Sequence, residues 1–242
     1  MIGKIYFSFV ELLIDLIDRS NKKKVLRFFK DKIDNKFVNL IDIGAHKGET
    51  IDLFINNFDI ENIYAFEPNY KLFNNLKLNK KYQSKKIKLF NLGVGEVAEK
   101  KELNIFKDSS SSTINQINEN TKYFKRKKKI MFFFSKSENF LITKQPIQIC
   151  NLSEFINNES INKIDILKID TEGYEFNILK GLTNSEFNKI RWIYFEHHYD
   201  LMILKGYKFK DINNILKING FVQKFKIKMK FRKTFEYIYE RI

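Results

Sequence analysis

Cysteine is nearly absent: Cys150 is the single one in 242 residues. That excludes an intrachain disulfide and suits a reducing compartment, so a cytoplasmic location is expected. Three histidines and one cysteine are too few for a structural zinc site, and the sequence assigns no metal ligands. Proline and glycine are scarce, with two and nine copies, so each break they make is informative. No apolar run approaches the roughly 20 residues of a membrane span. The apolar opening segment carries Glu11, Asp15 and Asp18, which is wrong for a signal peptide. No internal repeat is visible.

Apolar, aromatic and basic residues are plentiful. An apolar content of 43%, with 15% aromatics, is enough for a real core. The length fits one α/β domain with an accessory segment. Forty-four Lys and Arg against 29 Asp and Glu give a net charge of +15. One reading is a polyanionic partner: nucleic acid, anionic glycan or membrane. The heavier weight goes to composition, because the chain is rich in Lys, Asn, Ile and Phe, residues of AT-rich codons, and charge alone specifies no partner.

Residues 1–36 read as a helical annex packed on the sheet edge. Ile5, Phe9, Leu12, Leu13, Leu16 and Ile17 recur at helical spacing. Ser20 and Asn21 are placed to cap a second helix with Val25, Leu26, Phe29 and Ile33 inside. From Phe37 to residue 242 strands and helices alternate, which argues for parallel strands with crossover helices. The strands expected are 37–43, 63–67, 87–91, 147–150, 164–170 and 190–196, with 101–106 as a short strand in a hairpin. Helices are expected over 50–57, 69–79, 153–156, from about Glu175 through Leu182, and over 209–219. Residues 107–146 break the rhythm and read as a long loop or insert. It holds a serine loop (108–113) and a basic, aromatic stretch (122–134) around Lys125–Lys129. That stretch reads mainly as a solvated loop, with peripheral membrane contact as its functional alternative. At the end, Lys224, Lys226, Lys228, Lys230 and Arg232 alternate with Phe225, Ile227, Met229 and Phe231. Period 2 predicts a strand with a basic and a buried face. Phe235, Tyr237 and Tyr239 repeat it, giving a terminal antiparallel hairpin on the sheet's far edge.

The chemistry centres on Leu40-Ile41-Asp42-Ile43-Gly44-Ala45-His46-Lys47-Gly48-Glu49-Thr50. An apolar strand breaks at a glycine and leads into a helix, a place to hold a ligand. Glu67 closes the next strand, 23 residues after Gly44. An acidic residue about 20 positions on takes ribose hydroxyls in nucleotide-binding α/β folds. The spacing is Gly-x-x-x-Gly, without the third glycine that seats a pyrophosphate. It suits a ligand with a ribose and an amino acid tail, such as S-adenosylmethionine, whose ammonium Asp42 can stabilise through a water or a turn. Asp170 and Glu196 close two later strands, and the carboxyl ends of parallel strands line the ligand crevice. Asp170 and Glu172 flank a helix start, where each can orient a hydroxyl or take its proton, or serve with Thr171 and Glu175 as caps. His197 and His198 face opposite ways along a strand, so they make a poor metal pair while one can enter the crevice. His46 is read as packing on ligand or solvent.

Taken in order, Asp42-x-Gly44-Ala45-x-x-Gly48, Phe66-Glu67-Pro68, the serine loop before Thr113-Ile114, Leu167-Lys168-Ile169-Asp170-x-Glu172-Gly173-x-Glu175 and Glu196-x-His198 resemble the FkbM family of S-adenosylmethionine-dependent methyltransferases. The resemblance covers roughly Asn39 to His198, and the Leu-Lys-Ile-Asp-x-Glu-Gly-x-Glu block is its most specific part. It implies a Rossmann-like class I methyltransferase: α/β, with a seven-stranded, mostly parallel sheet, a terminal antiparallel hairpin and here an N-terminal helical segment. It implies Glu67 on the adenosine ribose and the Asp42–Gly48 loop around the methionine end. The expected cofactor set is Asp42, Gly44, Ala45, His46, Gly48, Glu67, Pro68, Gly93 and Val94, and the catalytic candidates are Asp170, Glu172 and His198. His46 and Lys47 put bulkier, basic groups in the first loop than the family often has, and the basic stretch 122–134 is outside its pattern.

The resemblance implies O-methylation of a sugar, glycan or natural-product hydroxyl. No Asn/Asp-Pro-Pro-Tyr stretch occurs, which speaks against the common amino-group methyltransferases. RNA methylation is the first rival, drawn from charge, but no recognition module supports it and the aromatics are not spaced as a stacking platform, so a nucleic-acid partner is not expected. A non-catalytic scaffold that binds S-adenosylmethionine is the second, and the intact Asp42, Gly44, Gly48 and Glu67 argue against it.

Overall fold

The computed structural model describes residues 2–33, 36–107, 112–131, 133, 141–230 and 232–242. Asp108–Ser111 of the serine loop, Phe132, Phe134 and Phe231 lie outside the described residues. The chain starts with helix α1 (Ile2–Lys30), then strand β1 (Lys36–Ile43), α2 (Glu49–Ile55), β2 (Asp59–Phe66), α3 (Tyr70–Leu78), β3 (Ile87–Phe90), β4 (Gly93–Gly95) and β5 (Glu99–Phe106). Next come β6 (Gln116–Ile117), α4 (Lys122–Met131), β7 (Leu141–Asn151), α5 (Leu152–Asn158), β8 (Ile164–Ile169), α6 (Glu175–Lys180), α7 (Asn184–Lys189) and β9 (Ile190–His198). It closes with β10 (Ile203–Leu204), α8 (Phe209–Ile218), β11 (Phe221–Lys228) and β12 (Thr234–Arg241).

Seven strands form the main sheet in the order β11-β12-β9-β8-β1-β2-β3. The five from β9 to β3 are parallel, and β12 and β11 add antiparallel pairs. The fold is therefore the expected α/β sheet with a terminal hairpin on one edge. Alternation sorts the side chains onto two faces. Ile41, Ile43, Leu167, Ile169 and Ile193 pack under α5, α6, α7 and α8. Leu40, Ile63, Ile166 and Trp192 pack on the other face with Val25, Phe29, Ile51 and Phe54 of α1 and α2. Both faces are covered, which is why β1 and β8 are mostly apolar without strict alternation.

Several elements differ from the sequence reading. One helix, α1, runs unbroken through Ser20 and Asn21. Asn21 does not cap: its amide donates to Lys228 O (3.3 Å) and contacts Met229 Sδ (3.0 Å) on the hairpin. A tertiary partner takes the group that a cap would have used. The helix lies across a sheet face, with Phe28 edge-on to Trp192 (5.5 Å between centroids), and not along an edge. Its first half leaves Phe9, Leu12, Leu13 and Leu16 exposed.

Strand β5 pairs antiparallel with β7 across the insert, and β4 pairs parallel with β7 on its other side. The expected strand 147–150 thus belongs to a second, three-stranded sheet. Lys125–Lys129 lie on helix α4, not on a solvated loop. Phe124 and Met131 are buried there against Phe106, Met202 and Ile203, so three apolar residues from distant segments help fold a stretch whose local composition is basic. The helix expected through Leu182 ends at Lys180, and a second short helix, α7, follows with a Thr183–Glu186 capping box.

Candidate functional site

A cleft with a cavity volume of about 200 Å³, partly open to solvent, lies over the carboxyl ends of β1, β2 and β8. The turn after β1 forms its floor. Gly44 has φ +84°, and a Cβ there would stand 1.9 Å from Asp170 O, so only glycine fits. Gly44 N and Ala45 N both donate to Phe66 O (3.0 and 2.9 Å), tying the turn to β2. His46 has φ +51° and donates its backbone N–H to Glu67 Oε2 (2.7 Å). Asn69 N donates to Glu67 Oε1 (2.8 Å), and the Asn69 side chain caps α3. Each Glu67 oxygen is thus oriented by one backbone donor and keeps capacity to accept another hydrogen bond. Burial pushes the Glu67 carboxyl up to about 7, against those two donors and the His46 charge. Burial opposes charge on His46 too, yet Glu49, 3.0 Å from Nδ1, outweighs it and raises its pKa. In return, although burial alone would raise it, His46 holds Glu49 at about 2.

Beneath the turn, Asp42 and Lys168 are facing residues in the β1–β8 register. Both are buried, and Lys168 Nζ stands 3.3 Å from Asp42 Oδ1, 3.4 Å from Asp170 Oδ2 and 3.3 Å from Gly44 O. Burial raises the Asp42 pKa, only partly offset by Lys168. Burial lowers the Lys168 pKa, but Asp42 and Asp170 overcome it and the net shift is upward. Asp42 has no exposed surface and does not line the cleft. It acts on the Gly44 turn through Lys168, where the sequence reading placed it against the ligand. Gly48 does not line the cleft either: at φ +90° it starts α2 with its Cα packed under Tyr82. Gly44, Ala45, His46, Glu67, Pro68, Gly93 and Val94 do line it, with an apolar wall of Leu72, Leu92, Leu103 and Ile114.

The other half of the cleft is charged. Asp170 and Glu172 face it from the turn after β8. Glu172 has φ +51°, a strained conformation for a side chain of its size. Thr113 Oγ1 donates to Glu172 O (2.7 Å) and Asn115 Nδ2 to Gly173 O (2.6 Å). Glu175 Oε1 accepts from Gly173 N (2.8 Å) and Thr171 Oγ1 (3.2 Å), while Tyr207 OH donates to its Oε2. Glu175 is therefore the clamp of this turn as well as a helix-start carboxylate.

His198 does not line the cleft. It stands behind Glu172 and Glu196, with Nε2 3.1 Å from Glu172 Oε2 and 3.2 Å from Glu196 Oε1. Burial opposes its charge, but Glu172, Asp200 and Glu196 hold its pKa well above the usual range. A free base it is not. His197 projects to the opposite face among Tyr199, Tyr207 and Phe209, and burial holds it down at about 3.

The sequence reading missed part of this wall. Asp18 and Lys22 come from α1, and Met229, Arg232 and Glu236 from the hairpin. Arg232 pairs with Asp18, and Tyr194 OH donates to Glu236 Oε1 (2.6 Å). Glu236 has a period-2 signal of sorts, since it alternates with Phe235 and Tyr237, but nothing local marks it as facing a cleft. Lys168 sat in plain view within the most specific motif.

No curated protein sequence matches this chain. Among solved structures, a methyltransferase FkbM from Methylobacillus flagellatus KT superposes with a TM-score of 0.50 at 16% identity, over 84% of this chain and 44% of that one. The chain thus spans less than half the length of that relative. Magnesium protoporphyrin IX methyltransferase from Synechocystis PCC 6803, with bound S-adenosylhomocysteine, superposes with a TM-score of 0.54 at 10% identity, over 97% and 88% of the two chains. At such identities the likeness is one of fold. No described helix is long and apolar enough to cross a membrane. The methyltransferase FkbM domain matches residues 42–222, from the carboxylate under the Gly44 turn to the outer strand of the hairpin, and with three quarters of its length so matched the chain belongs to that family.

Proposed function

We propose that this protein transfers the methyl group of S-adenosylmethionine to a hydroxyl oxygen of a sugar, glycan or natural-product acceptor. The observation that carries the reading is Glu67: a buried carboxylate at the end of β2, with each oxygen pre-oriented by a backbone N–H and the cleft in front of it. The residues fit the cofactor. Glu67 suits two ribose hydroxyls, the wall of Leu72, Leu92 and Val94 suits an adenine, and the Gly44 turn lets backbone approach the amino acid tail. When bound, the sulfonium supplies an activated methyl group for direct displacement.

The protein's own task is alignment and proton handling. Asp170 lines the acceptor side, with Lys168 3.4 Å away, and is placed to receive or direct the hydroxyl proton. Glu172 and Glu196 orient further hydroxyls of the acceptor. Calorimetry with S-adenosylhomocysteine, followed by transfer of labelled methyl from S-adenosylmethionine to a panel of sugars and polyketide alcohols, tests the reading. Alkali-stable label on a sugar or alcohol supports it. Absence of cofactor-product binding, or label found on RNA alone, rejects it.

A further inference from the structure

We propose that Glu172, Glu196 and His198 form a binding site for one divalent cation beside the acceptor half of the cleft. One ligand atom from each lies within 4.8 Å of the others. His198 Nε2 is 3.1 Å from Glu172 Oε2 and 3.2 Å from Glu196 Oε1. A cation with bonds of about 2.1 Å sets neighbouring octahedral ligands about 3.0 Å apart, so both separations match polyhedron edges.

The second observation is the aim of the ring. His198 is paired with Thr234 in the β9–β12 register. Thr234 Oγ1 meets Nδ1 at 3.1 Å, and Asp200 Oδ2 stands 3.7 Å from the same nitrogen. A hydroxyl and a carboxylate on the far nitrogen are what fix a metal-bound imidazole in its tautomer. Nε2 is then turned to the two carboxylates, fully withdrawn from solvent, and it makes no hydrogen bond with either. Once the ring gives up its Nε2 proton, three electron-pair donors converge on one point, where a cation can take that proton's place. Two carboxylates and a neutral imidazole carry two negative charges, which a divalent ion balances.

Two carboxylates with one imidazole suit a divalent transition ion such as Mn²⁺ better than Mg²⁺, which takes oxygen ligands. Glu172 and Glu196 also line the cleft, so the open coordination positions face the acceptor. There the ion would bind acceptor oxygens and acidify a hydroxyl, a role that rests on the proposed methyl transfer; the site itself does not.

Mn²⁺ is the probe. Titration of the full chain, followed by electron paramagnetic resonance, is expected to show one bound ion with spin-echo modulation from one imidazole nitrogen. Glu196→Gln and His198→Asn should each weaken binding by about tenfold or more while S-adenosylhomocysteine still binds, and Thr234→Val should weaken it by a smaller factor. No Mn²⁺ bound to the wild type at millimolar concentration, bound ion without nitrogen modulation, or unchanged affinity in both ligand variants overturns the site. In the first case the cluster is held by a proton on His198. Mn²⁺ binding with these properties but without S-adenosylhomocysteine binding keeps the site and rejects the methyl-transfer reading.

Discussion

Replacing Lys168 by methionine tests the logic of the whole cleft floor. Asp42 is fully buried, and neither of its oxygens makes a hydrogen bond among the described residues. Its one opposite charge is the Lys168 ammonium at 3.3 Å. Removing that ammonium strands a charge, and breaking one side of a buried pair costs about 3–5 kcal/mol. The cost depends on pH with a definite sign. Burial already raises the Asp42 pKa above its ordinary value, with Lys168 opposing. A carboxyl of that kind contributes stability that is complete below its unfolded pKa and lost as pH rises through the folded one. Without Lys168 the folded value climbs further and the loss deepens. Lys168→Met should therefore be far less stable than wild type near pH 8 and recover much of the difference near pH 5. Asp42→Asn should lose less, because Lys168 keeps Asp170 and Gly44 O. The double change Asp42→Leu, Lys168→Met should regain most of the single variant's loss. Urea unfolding followed by circular dichroism at the two pH values measures all of this. A Lys168→Met deficit under about 1 kcal/mol at high pH, or one independent of pH, refutes the reasoning.

Other expectations are as direct. Glu67→Ala should weaken S-adenosylhomocysteine binding by about 1.5–3 kcal/mol in calorimetry, the worth of a hydrogen bond to a charged group, and unchanged affinity would remove Glu67 from the cofactor site. Burial, with Glu196 nearby, pushes Glu236 up to about 7, so wild type loses stability as pH climbs through that value. Glu236→Gln keeps the acceptor for Tyr194 OH and should be more stable by up to about 3 kcal/mol near pH 8, with no gain below pH 4.5; urea melts showing a loss at high pH would contradict this. Serine at Lys125, Arg126, Lys128 and Lys129 changes only one face of α4, so S-adenosylhomocysteine affinity should stay within twofold, while Phe124→Ala should cost about 3–5 kcal/mol in the same melts.

Much of this was legible in the chain because the signals were local. β1 and β8 are mostly apolar because helices cover both faces of the sheet, and β11 shows period 2 because it is the half-exposed edge strand. Gly44 and Glu67 stood out because turn geometry restricts which residues fit. What escaped was set by partners far away in sequence. Nothing near Asn21 announces Met229, and nothing near the basic run announces Met202 and Ile203, yet those contacts decide a helix continuation and a helix. The β5–β7 pairing spans the insert, so no turn signal marks it. Asp42 looked like a ligand-facing residue at a strand end, because its spacing is the same whether it touches a ligand or a lysine beneath one.

The charged half of the cleft has a physical reason for depending on more than the main sheet. Glu172 sits in a left-handed conformation that costs about 1–3 kcal/mol and persists only where its surroundings over-determine it. Three anchors do so: Thr113 on its carbonyl, Asn115 on that of Gly173, and Glu175 on the Gly173 N–H. Thr113 is itself paired with Asn104 of β5 through N–H to O bonds of 2.9 and 3.1 Å. The small sheet thus reaches across to hold the turn after β8, which is why the Thr113-Ile114 stretch and the Asp-x-Glu-Gly-x-Glu motif belong to one device although they lie about 60 residues apart. The remaining wall comes from α1 and the hairpin, joined by the Arg232–Asp18 pair. Under the proposed function the cofactor-side residues come from the ends of β1 and β2 and from β4, while the acceptor-side Asp170, Glu172 and Glu196 come from the ends of β8 and β9, walled by α1 and the hairpin. α1 and the hairpin can change without disturbing the Gly44 turn or Glu67, so under the proposed function acceptor choice would be free to vary while the cofactor end of the cleft stays as it is.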